Sequence, residues 1–96
     1  MYLILYDITE DSIRNKVSKL LEQEGCERLQ FSVFVTHFNP KENKLWFKLN
    51  ELLNSTPNNK IFCLKISSNS FRRMKIIGDL QLDFDYLTGE KRSLIL

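Results

Sequence analysis

The run Tyr2-Leu3-Ile4-Leu5-Tyr6 constrains the fold most. Five apolar and aromatic residues are too few for a helix and leave no polar face, so this segment reads as a strand buried on both sides. Asp7 follows at once, and a helical pattern begins within a few residues. A strand apolar on both faces needs cover above and below, which one layer of helices does not supply. The same geometry puts the Asp7 carboxylate at the tip of a buried strand. Its charge is costly to bury there unless it is paired or metal-bound, and loops on a rigid scaffold often carry function.

After Asp7, Thr9 or Asp11 can cap a helix. Ile13, Val17, Leu20 and Leu21 then form one apolar stripe that ends at Gly25, with Arg14, Lys16 and Lys19 on the opposite face. From Arg28 to Phe38, Leu29, Phe31, Val33 and Val35 alternate with Gln30, Ser32, Phe34 and Thr36. This pattern fits one long strand, or two strands joined by a tight turn near Phe31-Ser32, and alternation does not separate the two. Pro40 is expected to start a second helix whose stripe is Leu45, Leu49, Leu52 and Leu53. Residues 54–59 read as a loop, and Ile61 to Ile66 as another strand. Ser67 to Ser70 reads as a turn carrying Phe71-Arg72-Arg73. Met74 to Ile77 reads as a short strand stopped by Gly78, and residues 79–92 as an acidic, then loop-like stretch. The apolar end Ser93-Leu94-Ile95-Leu96 is expected to pair with a sheet edge, because left in water it would be an exposed strand.

This order predicts an α+β sandwich, two helices on one face of an antiparallel sheet. A second copy of the molecule is the economical cover for the other face. With 96 residues there is room for one domain, its core in residues 1–78 and a C-terminal segment in 79–96. A chain of this length buries roughly 65% of the surface of its unfolded form and would gain from dimerising. Seven Phe in so small a chain also suggest a second buried surface.

The formal charge is +2, so nucleic-acid binding would have to come from local clusters of Lys and Arg. Cys26 and Cys63 lack CxxC spacing, and with one His a zinc site is not expected. They read as reduced, half-buried thiols. No segment reaches the length of a membrane span, and no basic region precedes the first apolar run, so a cytoplasmic protein without membrane contact is expected.

Asp7 has two readings. It is a Mg²⁺ ligand, which alone is a poor site unless two copies share one ion across a two-fold axis, or it is a turn or capping residue near a helix N-terminus. Residue physics alone leans slightly to the second. The cations Arg14, Lys16, Lys19, Arg28, Arg72, Arg73 and Lys75 could grip phosphates or form a solvated face. Lys19 fits the solvated face, whereas Arg28 stands out for its place where a strand begins. His37 reads as structural. Trp46 and Phe47 lie off the leucine stripe and suit a protein contact better than base stacking. Walker, dinucleotide and nucleophile-elbow patterns are absent.

The stretch Tyr6-Asp7-Ile8-Thr9, Arg14-Asn15-Lys16-Val17, Leu20-Leu21, Gly25 and Glu27-Arg28-Leu29-Gln30-Phe31-Ser32-Val33-Phe34 resembles the second CRISPR-associated protein family. The likeness is close over the first third of the chain. That family comprises small metal-dependent nucleases that partner the integrase of spacer acquisition. The resemblance implies a ferredoxin-like βαββαβ fold, a homodimer packed sheet to sheet, a hairpin within Arg28 to Phe38, and an extra C-terminal strand added to the partner's sheet. It implies that Asp7 from each subunit holds a shared Mg²⁺, with Tyr6, Arg14, Arg28, Ser32 and Phe34 in the active region. Arg14 and Arg28 would hold phosphate oxygens, which Arg does bidentately. Lys16 stands where relatives often carry Arg, keeping the charge and losing the fork. Lys16, Arg72 and Arg73 remain candidates for nucleic-acid contact.

Three functions follow as expectations. The leading one is a Mg²⁺-dependent endonuclease acting on RNA or DNA as a homodimer in spacer acquisition. The second is a non-catalytic scaffold bridging two integrase dimers along a DNA duplex. The third is a toxin-type ribonuclease on the same fold. The nucleic-acid partners expected are a DNA duplex or single-stranded RNA.

Overall fold

The computed structural model describes residues 1–54 and 56–89. Strands β1 (Tyr2–Asp7), β2 (Glu27–Gln30), β3 (Val33–Thr36) and β4 (Lys60–Lys65) form one antiparallel sheet in the order β2-β3-β1-β4. Helix α1 (Asp11–Gln23) follows β1, and α2 (Lys44–Leu53) lies between β3 and β4. This is the ferredoxin-like βαββαβ arrangement. The short helices α3 (Ser68–Arg72) and α4 (Phe84–Leu87) come after it. Among the described residues no helix is long and apolar enough to cross a membrane.

Strand β1 is central because it is apolar on both faces. Ile4 lies opposite Phe34 and Cys63, and Leu3 opposite Val35 and Leu64. Ile4, Tyr6 and Phe34 point toward the helices and share a core with Val17, Leu21, Leu45 and Leu49. Leu3, Val33 and Val35 belong to a second cluster on the other face, with Leu29, Phe71, Leu82, Phe84 and Leu87. That face was expected to be covered by a second copy alone. Part of it is covered instead by the chain's own α3 and α4, where Phe71 meets Phe84 edge to face at 5.4 Å. The β4 half stays open, with Phe62 58% and Leu64 54% exposed.

The segment from Arg28 to Phe38 is a hairpin, not one strand. Its connection is Phe31-Ser32, and the register shifts between Arg28 and Gln30. Helix α1 stops as its glycine demands: Gly25 has φ +93, Gly25 N–H donates to Glu22 and Cys26 N–H to Leu21. These two bonds satisfy the terminal carbonyls, and only a left-handed residue permits them.

Several expectations need correction. Neither Thr9 nor Asp11 caps α1; Glu10 holds that position without a side-chain cap bond. Pro40 starts a separate 3₁₀ turn over Pro40–Glu42. Helix α2 begins only at Lys44, because Asn39 and Asn43 each accept a backbone N–H, from Lys41 and Leu45, and divide the segment in two. Ser68–Arg72 form a short helix in place of the expected turn, because the Ser67 hydroxyl oxygen accepts the Ser70 N–H. Met74 to Ile77 is not a strand: Met74 N–H closes the turn onto Phe71 O, and Ile77 is fully exposed. Helix α4, capped by Asp83 accepting from Tyr86, interrupts the expected loop. The expected strand over Ser93 to Leu96 lies outside the described residues.

Candidate functional site

Asp7 is the last residue of β1, and its Cα partner on β4 is Lys60. Its side chain is exposed. Among the described residues no hydrogen bond or ion pair reaches its carboxylate. The expectation of a charge forced into a buried strand tip is therefore wrong: the strand runs one residue past its cover, and water solvates the carboxylate.

The loop after Asp7 is fixed from three sides. Ile8 is buried, and its carbonyl accepts from Arg14 Nη1 at 3.0 Å. Thr9 N–H donates to Asn59 Oδ1 at 3.0 Å. Asn59 Nδ2 donates to Glu10 Oε2 at 2.6 Å, and this bond chiefly holds the Glu10 carboxyl below its ordinary pKa. The loop is thus tied to α1 on one side and to the head of β4 on the other.

The hairpin turn gathers the other candidates at the same end of the sheet. Tyr6 N–H donates to Ser32 O, and the Tyr6 hydroxyl to Phe31 O, both at 3.1 Å. Burial raises the Tyr6 pKa, opposed by the charges of Arg28 and Arg14, so the phenol stays protonated at neutral pH. Phe34 is fully buried beneath it, ring centroids 6.3 Å apart. It can influence a substrate only by supporting Tyr6 and Arg28. Arg28 is exposed, its guanidinium 5.0 Å above the Phe34 ring and 3.2 Å from Glu22. Arg14 is half-buried, pairs with Asp11 and lies 5.7 Å over the Phe31 ring. Its Nε is buried without a partner among the described residues.

The remaining cations lie apart from this group. Lys16 lines an open groove between α1 and α2 with Lys19, Leu20 and Phe47. Arg72 reaches Asp85 and Thr88, and its helix starts beyond Ile66, which pairs with Met1 at the opposite end of β1. Arg73 is exposed next to it. His37 sits at that far end too, following Thr36, the partner of Tyr2. Burial pushes the Cys26 thiol up to about 11 and also raises Cys63, so neither is a nucleophile at neutral pH.

Sequence reading missed Glu10 and Asn59. The usable signal was topological: antiparallel pairing of β1 with β4 places the residue before β4 beside the residues after β1. Asp7 offers a hard oxygen donor, free and solvent-facing, which suits Mg²⁺. Among the described residues no three His, Cys, Asp or Glu side chains cluster to hold a metal.

The model of the CRISPR associated protein Cas2 family matches residues 1–74. A Pyrobaculum aerophilum protein named CRISPR-associated endoribonuclease Cas2 2 is 56% identical over 41 residues, 42% of this chain and 45% of that protein. That match spans about half the length of the relative. A Chloroflexus aurantiacus protein named CRISPR-associated endoribonuclease Cas2 1 is 35% identical over 79 residues, covering 81% of this chain and 84% of that one. The crystal structure of Streptococcus pyogenes Cas2 superposes with a TM-score of 0.67 at 23% identity, covering 80% of this chain and 98% of that chain. This likeness bears on the fold.

Proposed function

The chain belongs to the CRISPR associated protein Cas2 family, and on that premise we propose that it is a metal-dependent nuclease that cuts phosphodiester bonds as a homodimer. The observation that carries this reading is the exposed Asp7 carboxylate, which has no partner among the described residues and stands at the end of β1 whose following loop Arg14 anchors. The names of the relatives, CRISPR-associated endoribonuclease, support RNA as a substrate.

Asp7 from each of two chains would hold one Mg²⁺, the two carboxylates completing what one chain lacks. Such an ion supplies an activated water and offsets charge on the scissile phosphate. Arg28 would take a phosphate oxygen, a role supported by its exposed guanidinium and by the exposure of Glu22, the partner it would exchange. Arg14 positions the loop through Ile8 O. Tyr6, a protonated donor on Phe31 O, fixes the hairpin that carries Ser32. The open strip of Phe62 and Leu64 supports the homodimer, because apolar side chains so exposed on a sheet face gain from cover. The family resemblance supports the integrase dimers of spacer acquisition as partners.

A bridging scaffold that cuts nothing is the second reading. It is favoured by the lack of a clustered metal-ligand set among the described residues and by the acids paired with Arg14 and Arg28. Cleavage of labelled single-stranded RNA and duplex DNA, in Mg²⁺ or EDTA, separates the two. Wild type and Asp7→Ala are compared after both are shown to be folded dimers. The nuclease reading expects metal-dependent cutting that Asp7→Ala loses. Equal cutting by both proteins, or none, overturns it and leaves the scaffold.

A further inference from the structure

We propose that the cleft between α2 and β4 holds one unpaired nucleobase of a single-stranded nucleic acid running past Asp7. The inference deepens the nuclease reading and rests on it for the polymer that delivers the base. Trp46, Leu49, Asn50, Leu53, Asn59 and Ile61 line a cleft of about 220 Å³. Sites for whole drug-sized ligands run about 300–1,000 Å³, so this one suits a single ring system.

Its chemistry fits a base on each side. Leu49, Leu53 and Ile61 supply apolar surface, and the half-buried Trp46, read from the sequence as better suited to a protein contact, an aromatic wall on which any base can stack. Lys41 Nζ lies over the Trp46 ring, 5.7 Å from its centroid, so a base stacked on Trp46 takes the ring surface that Lys41 leaves open. Two amides complete the lining. A side-chain amide carries two N–H donors and an oxygen acceptor. Asn50 uses one N–H on Trp46 O at 3.2 Å, and its oxygen has no partner among the described residues. Asn59 uses its oxygen on Thr9 and one N–H on Glu10, which leaves its second N–H. One acceptor and one donor match a base edge with an amino group beside a ring nitrogen, as adenine presents.

The cleft is also coupled to the strand end. Ile61 is the Cα partner of Tyr6, and Lys60 of Asp7, while Asn59 belongs at once to the cleft and to the loop behind Asp7. A base seated here would hold its strand against the end of β1. Duplex bases are paired and stacked, so the cleft selects single strands.

Trp46 is the chain's single tryptophan, so its fluorescence reports on the cleft directly. Asp7→Ala protein in EDTA is titrated with short oligoadenylate, with an abasic strand of equal length and with duplex RNA. Oligoadenylate is expected to quench Trp46 saturably, with affinity about tenfold or more above the abasic strand, the usual effect of one stacked base. Duplex is expected to leave Trp46 unquenched. Asn50→Ala should weaken the oligoadenylate titration roughly fivefold by removing a hydrogen-bond acceptor. Equal quenching by oligoadenylate and the abasic strand, or none by either, overturns the proposal. Because no cleavage is needed, a protein that binds in this way but cuts nothing refutes the nuclease reading and leaves the cleft standing.

Discussion

Asn59 Oδ1 accepts the backbone N–H of Thr9 at 3.0 Å, joining residues fifty positions apart in the chain. With its bond to Glu10, this side chain is the tie between the loop behind Asp7 and the head of β4. Asn59→Ala should cost about 0.5–1.5 kcal/mol, the net range for hydrogen bonds whose partners water can solvate once they are lost. Urea unfolding measures the loss, and the Thr9 amide should exchange faster with solvent. Unchanged exchange at Thr9 would show that water replaces the tie without loosening the loop.

The same tie makes acid stability depend on Glu10. Its folded pKa lies below the ordinary 4.5, chiefly because Asn59 donates to the carboxylate. A depressed carboxyl adds stability that is present above the unfolded value and is lost as pH falls through the lower folded value. The difference in Tm between wild type and Asn59→Ala should therefore hold at neutral pH and shrink as pH falls below about 4.5. A pH series of melts checks this, and a difference constant down to low pH would assign the effect to the Thr9 bond alone. Glu10 is fully exposed, so the change should be small and weaken with salt.

Much of this fold was legible in the chain. Tyr2 to Tyr6 demanded a two-faced strand, and β1 is one of the two interior strands. Gly25 marked the end of α1 because few other residues take its left-handed conformation without strain. What was not legible depended on partners distant in sequence. Alternation could not show that Phe31-Ser32 is a turn, since a turn is fixed by register across the sheet. Nor could it show that Phe71 and Phe84 cover the second face, because each falls in a segment without clear periodicity. The exposure of Asp7 was misread for a related reason: apolar neighbours on one strand say nothing of where the covering helices stop. Asn59 was invisible until β4 was known to pair with β1.

The half of the sheet face that α3 and α4 leave open makes a specific demand. Leu64 is 54% exposed beside Phe62, and on β1 its Cα partner is Leu3. If two chains pack through this strip, Leu64→Asp should raise the dimer Kd roughly tenfold or more, since the leucine's burial is lost and a charge must be desolvated. The exposed position should leave the monomer folded. Sedimentation equilibrium together with far-ultraviolet circular dichroism measures both. A dimer of undiminished affinity would move the interface to another face.

Arg14 separates anchoring from substrate binding. Its Nη1 is committed to Ile8 O, its Nη2 pairs with Asp11, and its guanidinium lies over Phe31. A phosphate arriving at Arg14 must compete with the Asp11 carboxylate, which is itself largely exposed. Asp11→Asn removes that competitor and one negative charge near the site, and it leaves the Ile8 contact in place. Affinity for single-stranded RNA should rise a few-fold at low salt, and the gain should fade as salt rises, because it is electrostatic. Arg14→Ala should act differently, lowering stability by about 1–3 kcal/mol through loss of the charged hydrogen bond to Ile8. Fluorescence anisotropy at two salt concentrations, beside urea unfolding of both variants, distinguishes the roles. If Asp11→Asn binds no more tightly while Arg14→Ala is destabilised, Arg14 is an anchor only. Phosphate contact at this end of the sheet then falls to Arg28, whose guanidinium is more exposed than that of Arg14.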